Sequence, residues 1–375
     1  MSHDLMASFQ QLTPALMAKG VEDTALYRET ALLARGDVGC DPDRPPATPE
    51  DFHAWCEQAQ RCSPLSLLAT STHDSKRSED VRARLCALSA VAAEWAQTVR
   101  SWADRHRGLD PGGDALGVLL QTLVGAWPID ACRAGDYLVK AMREAKERTS
   151  WTAVVDAYEA RLRLMAAELL DDPAFVAELE AVVGRVRPAG ERISLAWALL
   201  RLTAPGVPDT YQGCELWDRS LVDPDNRRPV DLDAREALLG RALAAPAAEL
   251  LRDEPEGLAK LAVVARALHL RQRRPSDFGP DGDYRRLDAA GPFADRCLAF
   301  ARGRRPGAVT VAPVRPLPGG GGWGGTSVTL PEGLWANLLG GGEAIVGTAV
   351  EVEGLLTRFP VALLERVDDR PGPAG

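Results

Sequence analysis

The sequence predicts an α/β protein in which barrel-type strand–helix units are joined by a long helical block and followed by a small antiparallel β-domain. Three observations carry this. Residues 67–84 (LLATSTHDSKRSEDVRAR) run from a short apolar segment through small hydroxyl residues into a His-Asp pair, then into mixed charge and a helical pattern. Residues 85 to about 170 repeat apolar side chains at three- and four-residue steps. Beyond residue 283, short apolar stretches alternate with Gly and Pro clusters. A buried strand that ends in polar residues and hands over to a helix places those residues at a strand C-terminus. In a (β/α)8 barrel, that rim carries the catalytic groups.

Length and composition set the bounds. A chain of 375 residues is long enough for two or three domains. With 46% hydrophobic and 26% charged residues it has the make-up of a soluble globular protein. A net charge of -9 argues against a nucleic-acid partner, which favours a basic surface. Only five of the 44 basic residues are lysine: Lys19, Lys76, Lys140, Lys146 and Lys260. The seven cysteines are scattered and form no C-x-x-C pair, the pattern of a reduced cytoplasmic protein without a cysteine metal site. No secretory leader is recognisable at the N-terminus, and no apolar run is long enough for a membrane span. No cofactor is called for.

Residues 16–18 (LMA) form a short apolar segment that stops at Lys19 and Gly20. They are expected to be a strand end displaying Lys19, with Glu22 and Asp23 close by. The alternative is that the two acids simply mark a helix N-terminus. Residues 36–49 read as a Gly/Asp/Pro loop. A helix starts at Thr48-Pro49-Glu50-Asp51, with a Thr cap, Pro at the first position and acids in the first turn. It ends near Cys62, before Ser63-Pro64. In the 67–84 stretch, Ser71, Thr72 or Asp74 is also a candidate helix cap.

The helical block carries Leu85, Leu88, Trp95, Val99 and Trp102 on one face, and its aromatics read as core rather than as sugar platforms. A strongly apolar helix at 193–202 leads to TAPGVPDTYQGCELW, with a short strand at 207–211 and Tyr211, Gln212 and Glu215 beyond it. The loop LVDPDNRRPVD presents Asp223, Asp225, Asn226, Arg227 and Arg228. So many donors and acceptors suit either a polyhydroxylated ligand or a solvated loop with internal Asx turns. The expected divisions are 1–84 for barrel units, 85–190 for a helical insertion, 191–282 for the last barrel unit and substrate loop, 283–367 for a β-sandwich domain and 368–375 for a frayed tail.

Three motifs, MAKGVEDTALYR, ATSTHDSKRSEDVRAR and PGVPDTYQGCELWDRSLVDPDNRRPVD, together resemble the maltooligosyl trehalose synthase family of the α-amylase superfamily, glycoside hydrolase family 13. The G-x-P-x-x-x-x-G-x-E pattern from Gly206 to Glu215 also resembles the last barrel strand of α-amylases. The resemblance implies the C-terminal part of a (β/α)8 barrel with a helical insertion and a terminal β-domain. It implies a maltooligosaccharide substrate whose reducing-end α-1,4 bond is isomerised to an α,α-1,1 bond. Asp74 would be the carboxylate that stabilises the transition state, and His73 would hydrogen-bond sugar hydroxyls. Lys19, Lys76 and Arg77 would hold the sugar in the acceptor position.

The family's nucleophilic Asp and general-acid Glu lie on earlier strands, and no G-x-R-x-D-like segment or Glu-bearing strand precedes residue 16 here. The chain is therefore expected to be inactive alone. It is read as a fragment, as half of a split enzyme that pairs with an N-terminal barrel half, or as a glucan-binding remnant. A metal-dependent phosphohydrolase built on His73-Asp74 would need further His and Asp ligands, and His3, His53, His106 and His269 lie in no comparable motif.

Overall fold

The computed structural model describes residues 3–112, 114–251, 257–317 and 322–368. Residues 318–321, with most of the Gly cluster, and 369–375, with nearly all of the expected tail, lie outside the described residues. The chain divides into two compact units. One holds Met1–Pro45, His73–Gly190 and Arg219–Arg228; the other holds Pro46–Thr72, Glu191–Asp218 and Pro229–Gly375. No described helix is long and apolar enough to cross a membrane.

The first unit is helical. Residues 16–18 are not a strand: helix His3–Ala15 runs directly into a π-helix, Leu16–Ala25. Three apolar residues are too few for periodicity to separate strand from helix. Leu, Met and Ala are strong helix formers with no β-branch among them, so local preference decides. Neither helix buries a residue. Leu5, Phe9, Leu12 and Leu16 fall on one helical face and are all exposed.

The core starts at Leu26 and Tyr27 and gathers around helix Ala115–Ala126, which is apolar but for Gln121 and Thr122 and almost wholly buried. Helix Glu79–Ala87 packs against it so closely that a Cβ on Gly125 would stand 2.9 Å from Val81 Cγ1. Helix Ala131–Ala145 is amphipathic. Ala134, Leu138, Ala141, Met142 and Ala145 recur on its buried face, and Asp130 caps its start by accepting from Arg133 N. Helix Asp156–Asp171 is tied to it by Arg143, which donates through Nε to Glu159 Oε1 at 2.7 Å. Helix Pro173–Thr203 carries the chain from the first unit into the second at Gly190.

The second unit contains β1 (Leu67–Leu68) and β2 (Val207–Pro208), which pair in parallel with Leu67 opposite Val207. Gly206 has φ of +141°, and a Cβ there would meet Leu68 at 2.5 Å, so glycine permits the close approach. Helix Pro49–Cys62 starts with the expected Thr48 cap and Pro at its first position, and Thr48 and Asp51 form a capping box.

The C-terminal strands are β3 (Tyr284–Leu287), β4 (Ala289–Ala290), β5 (Cys297–Arg302), β6 (Ala308–Pro313), β7 (Ser327–Thr329), β8 (Leu334–Asn337), β9 (Ile345–Val346), β10 (Ala349–Glu351) and β11 (Ala362–Arg366). They form a six-stranded sheet in the order β3-β5-β6-β11-β8-β9 and a three-stranded sheet in the order β10-β7-β4, both antiparallel. The large sheet is buried on both faces. Leu298, Phe300 and Leu363 join the helical cluster around Leu199 and Leu261. Ala299, Ala301, Val311 and Leu364 join Val328 and Trp335 on the other side. Burial on both faces explains why CLAFA, the first five residues of β5, is apolar throughout rather than alternating.

Gly190 tests the packing of the first unit. A Cβ there would stand 2.7 Å from Arg84 Cα. Alanine favours a helix over glycine by about 1 kcal/mol, but forcing two backbones apart costs about 1–3 kcal/mol. Gly190→Ala should therefore lower the urea midpoint; a raised midpoint would show that the contact yields freely.

Candidate functional site

The turn that carries His73 and Asp74 is built from beneath. Asp37 is buried, and its two carboxylate oxygens accept from the backbone N–H groups of Lys76 and Arg77, each at 3.1 Å. The Arg77 guanidinium is 1% exposed and points inward. It donates to Leu33 O and Gly36 O at 3.1 Å and to the Tyr137 hydroxyl at 2.6 Å. The following helix is capped by Ser78, whose Oγ accepts from Val81 N. Asp74 is therefore not the helix cap. His73 and Asp74 are exposed in the turn, with His73 Nε2 3.2 Å from Asp74 Oδ2.

A second segment straps this turn. Ser78 N donates to Ser220 O at 2.9 Å, and Arg77 and Leu221 form an isolated antiparallel bridge. The buried Asn226 donates from Nδ2 to His73 O at 2.9 Å. Arg133 holds Asp225 through two bonds of 2.9 Å, and Asp225 Oδ2 also accepts from Leu221 N at 2.8 Å. Burial works to raise the Asp225 carboxyl, but the bonds from Arg133 and Leu221 outweigh it, and the group sits below the usual range. Arg228 donates to Asp225 O at 3.0 Å, while Arg227 is exposed and pairs with Asp223. Within this loop, Asp225, Asn226 and Arg228 bond to protein groups.

The lysines occupy the other side of the turn. Lys76 is nearly buried; its Nζ donates to Asp23 Oδ1 at 2.7 Å and lies 5.2 Å from the Tyr27 ring centroid. Exposed Lys19 pairs with the second Asp23 oxygen. Glu22 is half-buried on the same π-helical turn. Asp74 and Glu144 are near enough to add to the negative field at Lys19.

Two further lysines reach this cluster from helix Ala131–Ala145 and its end, and the sequence motifs did not single them out. Lys140 Nζ donates to Asp223 O and lies 4.0 Å from the Asp223 carboxylate. Lys146 donates to Thr24 Oγ1 and, at 3.4 Å, to Asp23 O. The signal available in the sequence was rarity: each is one of only five lysines.

Tyr211, Gln212 and Glu215 belong to the second unit. Arg201 steadies the chain before them by donating to Asp209 O at 2.8 Å and to Thr210 Oγ1 at 2.7 Å. Gly213 turns with φ of +92°, and its N–H donates to Glu215 Oε2 at 3.1 Å; Arg235 pairs with the other Glu215 oxygen. Tyr211 is half-buried and Gln212 exposed. Among the described residues no group of three His, Cys, Asp or Glu side chains is arranged to hold a metal ion.

The chain is 40% identical over 368 residues to a Mycobacterium tuberculosis protein assigned as a maltooligosyl trehalose synthase, covering 95% of this chain and 45% of that protein. The solved maltooligosyltrehalose synthase of Arthrobacter ramosus matches with a TM-score of 0.86 at 39% identity, over 96% of this chain and 46% of that one. Another solved maltooligosyl trehalose synthase matches with a TM-score of 0.79 at 29% identity, over 96% and 47%. No protein-family model matches. The chain thus resembles maltooligosyl trehalose synthases over nearly its whole length, and it spans a little under half the length of these relatives.

Asp23 offers a pH test of the lysine cluster. Burial tends to raise its carboxyl, but the hydrogen bonds from Lys19 and Lys76 outweigh that and hold it below its ordinary value of 3.8. A depressed carboxyl stabilises the fold above the unfolded pKa, and the contribution fades as pH falls through the folded value. Asp23→Asn should therefore lower the urea midpoint at pH 7, and the gap from the parent chain should narrow as pH drops below about 4. An equal gap at both pH values would show that the charge is not what matters.

Proposed function

We propose that this chain is the C-terminal part of a maltooligosyl trehalose synthase, holding the reducing-end glucose unit while the anomeric bond is remade. The observation that carries this reading is the exposed His73-Asp74 turn, held rigidly from below and bordered by a lysine cluster. The similarity to synthases across nearly the whole chain supports it. The β1–β2 pair is read as two neighbouring strands of a (β/α)8 barrel, and the C-terminal sheets as a β-sandwich. The scattered cysteines favour a cytoplasmic location.

In the proposed reaction, a carboxylate nucleophile attacks the anomeric carbon of the penultimate glucose and a carboxylic acid protonates the departing 4-oxygen. The released glucose then turns, and its own anomeric hydroxyl attacks the glycosyl-enzyme to give the α,α-1,1 bond. Nucleophile and acid come from the part of the synthase that this chain does not span. The exposed apolar face of Leu5, Phe9, Leu12 and Leu16 suits contact with that part.

Asp74 accepts hydrogen bonds from sugar hydroxyls, which tighten as positive charge develops at the anomeric carbon. His73 orients beside it. Lys19 and Lys76 donate to the acceptor glucose, with Glu22 and Asp23 setting their positions. Arg77 and Asn226 are assigned to the scaffold, because Arg77 Nη1 and Nη2 and Asn226 Nδ2 already bond to the protein. Arg227 and Asp223 form an outer edge; Tyr211, Gln212 and Glu215, in the second unit, are proposed as sugar-binding residues in their own right.

The test combines this chain with the N-terminal part of the Arthrobacter ramosus synthase and follows maltopentaose by product chromatography. The chain alone should produce almost no non-reducing product, and the mixture should produce it. In the mixture, Asp74→Asn should lower turnover by roughly a hundredfold with a much smaller change in KM. Ser78 caps the helix, so this substitution should leave the melting temperature unchanged. Near-parental turnover would remove Asp74 from the mechanism and overturn the reading.

A further inference from the structure

We propose that Lys140 and Lys146 are sugar-contacting, specificity-determining residues of the same site, so that the end of helix Ala131–Ala145 forms one of its walls. This rests on the reading of that site as an oligosaccharide site. Four of the five lysines in a chain otherwise supplied with arginine meet around Asp23 and Asp223. The fifth, Lys260, is buried in the second unit with its ammonium 5.8 Å from the Trp217 ring centroid. Where a positive charge merely pairs with a carboxylate, this chain almost always uses arginine. A compact ammonium with three rotatable N–H donors can follow the hydroxyls of a sugar ring; a planar guanidinium fork cannot.

Independent features mark each residue. Lys146 is the single non-glycine residue with positive φ among the described residues, at φ 56° and ψ 34°. That left-handed position ends a helix, where glycine or asparagine fits without strain. A lysine held there indicates that its side chain is needed. A favourable interaction with the helix C-terminus does not explain the choice, because arginine supplies it equally.

Lys140 is half-buried and donates to Asp223 O. Burial lowers its pKa, Asp223 and Glu144 oppose the shift, and the neighbouring Lys76 adds to it. A half-buried ammonium with three N–H donors beside the Asp223 carbonyl suits a pocket whose polar ligand takes up the other donors.

The test is calorimetric titration of the full chain with maltopentaose, alongside thermal melts, for Lys140→Arg, Lys146→Arg and the double variant. Arginine keeps the charge and a donor to Asp223 O or Thr24 Oγ1, so a structural lysine tolerates it. The proposal expects unchanged melting temperatures and a loss of affinity of roughly tenfold in the double variant, the scale of one or two lost sugar hydrogen bonds. Variants that bind as the parent does would overturn this proposal and leave the function reading intact. Variants that bind weakly and also melt lower would make the lysines scaffold, and would overturn it too. A parent chain that binds no maltopentaose would overturn both.

Discussion

A single buried carboxylate sets the geometry of the candidate site. Asp37 accepts the two consecutive backbone N–H groups that follow the His73-Asp74-Ser75 turn, and Arg82 Nε lies 3.6 Å from one of its oxygens. A buried charge so bonded is held in one place, because moving it would strand both partners at a cost of several kcal/mol. Arg77 does the complementary job from the other side. Its inward guanidinium collects the carbonyls of Leu33 and Gly36 and so ties the Asp37 segment to the same turn. With its underside fixed, the turn presents His73 and Asp74 outward without contributing packing of their own. A rigid base beneath exposed polar groups is what preorganised electrostatic stabilisation requires.

Local chemistry made part of this legible in the sequence. Thr48, Pro49 and Asp51 announce a helix start through contacts that span three residues, and the capping box is where they place it. The strand fragments at 67–68 and 207–208 stand out because Ser-Pro and Pro-Gly break the chain just before them. The expected strand at 16–18 fails because Leu, Met and Ala favour a helix and three residues show no period that would say so. The sequence offers Ser71, Thr72 or Asp74 as the helix cap, whereas the helix takes Ser78, and the choice could not be made locally because all four are capping residues within eight positions. It is made by Asp37, about forty residues upstream, which fixes where the backbone can first turn helical. Asp37 itself sits in a stretch that reads only as a Gly/Pro-rich loop, and nothing in its immediate neighbours reveals that it is buried. Lys140 and Lys146 stand out in the sequence only by rarity, because their relation to Asp223 and Asp23 exists only after folding.

The polar loop at 221–231 was open to two readings, and the two halves of the choice separate by residue. Asp225, Asn226 and Arg228 face protein groups. Asp223 lies nearest the lysines, bonded through its carbonyl to Lys140 and through its carboxylate to exposed Arg227. One short segment thus ties down the His73-Asp74 turn with its centre and borders the candidate sugar site with its edge. A substitution in the centre acts on the position of His73, and one at the edge acts on the field around the lysines.

The segment Arg219–Arg228 belongs to the first unit although its neighbours on both sides belong to the second. Asn226 reaches back 153 positions to the carbonyl of His73. On the ribosome, then, the helical unit emerges long before the residues that finish it. Its core around residues 115–126 can collapse early, while the turn at His73 waits for a strap that arrives only once residue 228 has cleared the exit tunnel. Contacts of such long sequence separation form late. The most chemically demanding corner of the molecule is therefore the last part of its unit to be closed, and it has the longest exposure to misfolding and proteolysis during synthesis.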